Sequence, residues 1–148
     1  MYSKASGGTG LGDGITILKR DFSLGKRIWE EPAGGKNFHM HPRVDPFAEW
    51  VAWTTGGSSP PHIALKALEA PSSDPPEIVA TDYASIVFCD WTDDAKLLCN
   101  VLKVPAPRPG GREVWELVLL DRTGKLVRDL NIACKRPTAA AWRRYEHQ

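Results

Sequence analysis

His39-Met40-His41-Pro42 is the stretch of this chain whose residue types and spacing most directly allow chemistry. On a regular strand, residues two apart point to one side, so both imidazoles reach a single divalent metal ion. The other use of such a pair is hydrogen bonding to backbone groups, which needs no cofactor. Trp142-Arg143-Arg144-Tyr145 combines rings with guanidinium groups. That set binds a sugar or an acidic peptide by stacking and bidentate hydrogen bonds. It also reads as the edge of a strand with alternating side chains. Asp90, Asp93 and Asp94 surround Trp91, and carboxylates at a tight turn accept backbone N–H groups. Asp82 and Asp121 read the same way.

Other chemistries lack their residues. No Gly-x-Ser-x-Gly occurs, so no peptidase or esterase nucleophile is encoded in that form. Cys89 and Cys99 have no adjacent basic group to lower a thiol pKa and alternate with apolar neighbours. They read as buried small hydrophobes, with a disulfide between neighbouring strands as the alternative. Gly7-Gly8-Thr9-Gly10-Leu11-Gly12 has neither a preceding strand nor a following Lys-Ser/Thr, so it reads as an arm and not a phosphate loop.

The elements that must position these residues are strands. The 148 residues include 13 Gly and 12 Pro spread along the chain, which interrupts any long helix. Hydrophobic content of 42% and charged content of 25% are those of a folded domain. A net charge of +1 gives no electrostatic case for nucleic acid or an anionic membrane. No apolar run spans a bilayer, and residues 1–14 lack the apolar region of a signal peptide.

A strand-turn-strand unit appears twice. Val44-Asp45-Pro46-Phe47-Ala48-Glu49-Trp50-Val51-Ala52-Trp53 is followed by Trp91-Thr92-Asp93-Asp94-Ala95-Lys96-Leu97-Leu98-Cys99, with Ala48 aligned on Ala95 and Trp50 on Leu97, 47 residues apart. Repeats of roughly 40–50 residues built from four short strands have the period of β-propeller blades. The spacing predicts an arm over 1–14, the end of one blade over 15–38, full blades over 39–81 and 82–136, and the start of another blade, or a helical tail, over 137–148. Two full blades with partial flanks cannot close a ring. The chain is thus expected to be a piece of a longer propeller, or to self-associate through open blade edges.

The two turn units resemble the TolB-like propeller repeat, whose pattern is Pro, a short spacer, Ser-Pro-Asp-Gly-Lys and an apolar strand. Here Pro42 precedes Asp45-Pro46-Phe47-Ala48-Glu49, and the second unit has Thr92-Asp93-Asp94-Ala95-Lys96. Ala48 and Ala95 replace the turn glycine, so different turn types are expected. The resemblance implies an all-β, incomplete propeller that serves as a non-catalytic protein- or glycan-binding module, periplasmic or secreted. Oligogalacturonate lyases are the catalytic alternative. That resemblance implies His39, His41 and His147 as partial ligands of a divalent metal such as Mn or Ca on the propeller axis.

Overall fold

The computed structural model describes residues 2–6, 14–18, 24–32, 37–57, 59–104 and 108–134. Among these residues every regular element is a strand, and no helix is long and apolar enough to cross a membrane. The fold is all-β. β1 (Tyr2–Ser6), β2 (Gly14–Leu18) and β3 (Leu24–Glu30) form a first sheet. β4 (Phe38–Val44), β5 (Trp50–Gly56), β6 (His62–Ala67) and β7 (Glu77–Ile78) form the middle sheet. β8 (Ile86–Trp91), β9 (Leu97–Val104), β10 (Val114–Leu120) and β11 (Leu126–Cys134) form the last sheet. Sequence neighbours pair antiparallel throughout, so each sheet is an open meander. The arm expected over residues 1–14 therefore carries a strand, β1, paired with β2. The segment expected over 137–148, with Trp142, Arg143, Arg144, Tyr145 and His147, lies outside the described residues.

Strand alternation divides the core into two layers. Val51, Trp53, Ala64 and Leu68 of the middle sheet pack with Ile15 and Ile28 of the first. Ala52, Ile63 and Leu65, with Val79, pack with Ile86, Phe88, Leu97, Cys99, Val118 and neighbours of the last. The middle sheet is thus covered on both faces, and every β5 residue after Trp50 is buried. Each fully buried Val, Leu or Ile contributes about 1.5–3 kcal/mol of transfer free energy, so these layers hold the sheets together.

The turn unit recurs three times. Ala48, Ala95 and Gly124 carry φ of 55°, 59° and 91°. Each donates its N–H to the carbonyl three residues back, at Asp45, Thr92 and Asp121. The side chain of that first residue caps the turn. Asp45 Oδ1 accepts from the N–H groups of Glu49 and Trp50, Thr92 Oγ1 from Lys96, and Asp121 Oδ1 from Thr123 and Lys125. Ala48 and Ala95 adopt the left-handed conformation that Gly124 takes, so alanine does not change the turn at Ala95, while the Ala48 turn does differ, by one residue in length.

The alignment of Trp50 with Leu97 is also corrected. Asp45 N–H reaches the carbonyl of Trp50, whereas Thr92 N–H reaches that of Lys96. The first turn holds one more residue, and Val51, paired with Val44, matches Leu97, paired with Trp91. A one-residue slip exchanges faces. With the corrected register, β5 and β9 present equivalent faces to the sheet before them.

Two opposite effects are expected at equivalent turn positions. Ala48→Gly and Ala95→Gly relieve left-handed strain and raise stability by about 0.5–1 kcal/mol each. At Gly124 an added Cβ meets the Ala80 carbonyl oxygen at 1.8 Å. Gly124→Ala therefore lowers stability by about 2–3 kcal/mol. Urea midpoints of the three variants check this, and destabilisation by both glycine substitutions would overturn the strain argument.

Candidate functional site

The histidine pair sits on a bulge. Met40 pairs with Thr54 and Arg43 with Ala52, so His41 and Pro42 together oppose Trp53. His41 takes φ 59°. Strand alternation does not run across such a bulge, and the two rings find different partners. His39 is buried beside Trp53, edge to face at 6.2 Å between centroids. Trp53 Nε1–H donates to His39 Nδ1 at 3.0 Å, and an indole N–H can only donate. The ring hydrogen therefore lies on Nε2, which donates to Glu31 at 2.8 Å. Both His39 nitrogens are thus used in joining the segment after β3 to β5.

His41 points the other way along the molecule. Its Nε2–H donates to the Cys89 carbonyl at 3.0 Å. Burial, reinforced by the Arg43 charge, pushes its pKa below the ordinary 6.5, against the pull of the Cys89 carbonyl and Asp90. Cys89 lies at a matching bulge in β8, between the pairs Phe88–Cys99 and Asp90–Leu98. Trp91 Nε1–H donates to the Arg43 carbonyl at 3.0 Å, and Phe88 N–H to Thr54 Oγ1 at 3.0 Å. Three hydrogen bonds therefore lock β8 onto β4 and β5.

Burial raises the pKa of all three thiols, which disfavours the nucleophilic thiolate. Burial pushes the Cys89 thiol up to about 11 and the Cys99 thiol well above its ordinary value. All three cysteines are free. Among the described residues, no three His, Cys, Asp or Glu side chains converge as metal ligands.

A groove of about 600 Å³ opens where the turns of the last sheet meet the β7 side of the middle sheet. Trp50, Leu65, Ile78 and Val79 give it an apolar floor, and Glu77, Lys96, Asp121 and Arg122 rim it. The Arg122 guanidinium stands 4.6 Å from the Trp50 ring centroid. Asp121 is held below the ordinary carboxylate value first by the Thr123 hydroxyl, then by backbone N–H groups and Lys125. Its carboxylate is thus occupied by the turn. Glu77, Lys96 and Arg122 remain as outward charges beside exposed Ile78. Such a site stacks flat groups and pairs with anions. In the sequence Trp50 stands out only as part of the first turn unit, and Arg122 belongs to no motif. The signal for both was a tryptophan directly after one turn and an arginine inside another.

The His41 bond carries a pH dependence. Above about pH 6.5 the ring is neutral in folded and unfolded chains alike. As pH falls below that value the unfolded chain binds the proton first, so stability declines until the lower folded-state pKa is passed. Between about pH 7.5 and about pH 5, the urea midpoint of the wild type is expected to drop more than that of His41→Gln. Equal slopes for the two proteins would remove His41 as the cause.

In comparisons with protein families, with curated proteins and with solved structures, none matches this chain.

Proposed function

We propose that this chain is a non-catalytic interaction module of the TolB-like β-propeller type, and that it binds a partner chain in the groove beside Trp50. Two features support the propeller type. Consecutive four-stranded meanders stack through unlike faces, and both carry a bulge in the first strand and a left-handed residue in the first turn. The observation that carries the binding reading is the Arg122 guanidinium over the Trp50 ring, at the rim of an open groove with exposed Ile78.

The chemistry favours a protein partner over a glycan. A sugar needs a bare aromatic face, and Arg122 covers one face of Trp50. A peptide with a carboxylate next to an apolar side chain engages Arg122 and Lys96 through the anion and Ile78 and Trp50 through the apolar part, and leaves Glu77 for a basic group of the same peptide. Nothing among the described residues favours the lyase alternative, since His39 engages both ring nitrogens and His41 binds a backbone carbonyl.

The test is a nuclear magnetic resonance titration of the labelled chain with short peptides that pair Asp or Glu with Leu or Phe, and in parallel with neutral oligosaccharides. Shifts are expected at the Trp50 indole N–H and the Arg122 side chain on peptide addition. Arg122→Ala is expected to weaken binding about five- to thirtyfold, the equivalent of roughly 1–2 kcal/mol. Silence at both residues with every probe would sink the reading.

A further inference from the structure

The groove runs along an open sheet edge. Glu77, Ile78, Val79 and Ala80, four consecutive residues, line it. Side chains of a strand alternate between faces, so contact with all four follows the backbone and not one face. β7 is the end strand of the middle sheet, and among the described residues no strand pairs with its outer side. Val79 N–H donates to the Ile63 carbonyl, so Val79 and, two residues back, Glu77 turn their backbone groups to β6. Ile78, opposite Ala64, lies between them. Its N–H and C=O therefore point outward, to the groove.

The stretch that can take a strand is short. Pro76, two residues before Ile78, has no N–H to offer on that side. Past Ile78, the turn at Gly124 closes on Ala80, whose carbonyl oxygen a Cβ on Gly124 would overlap. Ile78 is thus the residue of β7 with both backbone groups in the open. An antiparallel partner satisfies both with one residue, whereas parallel pairing spreads them over two.

Register then assigns the side chains. The partner residue opposite Ile78 shares its face, where Ile78 is 53% exposed and takes an apolar neighbour. The residues before and after it share the other face, with Glu77, Val79, Leu65 and Trp50. In the antiparallel direction the preceding residue stands opposite Val79 and the following one opposite Glu77. Val79 is the end of β7 that meets the Gly124 turn, and that turn carries Arg122 over Trp50. The preceding residue therefore faces a cation and the following one an anion. We propose that the groove takes an extended segment of a partner protein, ordered acidic, apolar, basic, as a strand added antiparallel to β7. This rests on the peptide reading of the groove and adds its backbone bonds and its direction.

Nuclear magnetic resonance titration of the labelled full chain with end-blocked Thr-Asp-Leu-Lys-Thr and its isomer Thr-Lys-Leu-Asp-Thr tests it. The first is expected to bind at least about tenfold more tightly, because the isomer sets its Lys against Arg122 and its Asp against Glu77. N-methylation of the Leu nitrogen, which faces Ile78, is expected to weaken binding about five- to tenfold. N-methylation of the Asp nitrogen, which faces water, is expected to change it less than about twofold. At saturation the Ile78 amide is expected to exchange at least about tenfold more slowly. Shifts at Trp50 and Arg122 with equal affinity for the two isomers, or with no effect of the Leu methyl group, overturn the added strand and leave the groove a peptide site. Tighter binding of the isomer overturns the antiparallel direction. Silence at Trp50, Arg122 and Ile78 with both peptides removes the groove reading and the strand with it.

Discussion

A sheet with no face turned to water must bury its polar atoms along with its apolar ones, and the rest of the structure follows from how the middle sheet does this. Val51 and Trp53 point to one neighbour and Ala52 to the other, so alternation that would leave one face wet instead packs both. Three buried polar residues of these strands find partners across a sheet boundary or at its rim. Lys66 donates to the carbonyls of Ile28 and Pro71, each at 2.7 Å. His39 bridges Glu31 and Trp53, and Thr54 holds Phe88 N–H. Apolar burial is non-directional and would tolerate sliding of one sheet over another. These hydrogen bonds are directional, and breaking any one strands a buried polar atom. They therefore fix where the sheets sit, while the apolar layers supply most of the attraction.

The same logic explains the paired bulges in β4 and β8. A regular strand at His41 would leave its ring on the alternation of β4. The bulge and φ of 59° turn the ring toward the Cys89 carbonyl, which the matching bulge of β8 frees from its own ladder. Each irregularity is thus satisfied by the other. A left-handed histidine carries a backbone cost of about 1–2 kcal/mol, comparable to one good buried hydrogen bond, so the bond and the bulge stand or fall together.

Much of this was legible in the sequence, and what was not has physical causes. Pro and Gly punctuation excluded long helices, and every regular element among the described residues is a strand. The turn unit was legible because Asp45, Thr92 and Asp121 are capping residues with a small residue three places on. Its register was not. Glu49 adds one residue to the first turn, and a repeat read by residue type alone slides past such an insertion. The histidine pair misled for a related reason. Spacing by two reports a shared side only on an unbroken strand, and a bulge leaves no compositional mark. The groove depends on Trp50 and Arg122, which are 72 positions apart in the chain and meet only because two turns of different sheets converge.

That convergence ties the candidate site to the fold. Gly124 lets the last turn approach the Ala80 carbonyl closer than any side chain allows. Asp121 then caps the turn, which removes its carboxylate from competition for the neighbouring guanidinium. Arg122, with its own turn neutralised locally, reaches instead over Trp50, the residue whose N–H caps the first turn on Asp45. The groove is therefore lined by the outward side chains of residues whose backbones are held by turn hydrogen bonds. A binding surface made this way needs little reordering when a partner arrives, and preorganised side chains lose less entropy on binding than mobile ones. The three turns that terminate the strands are, by the same hydrogen bonds, what makes Trp50 and Arg122 a rigid pair.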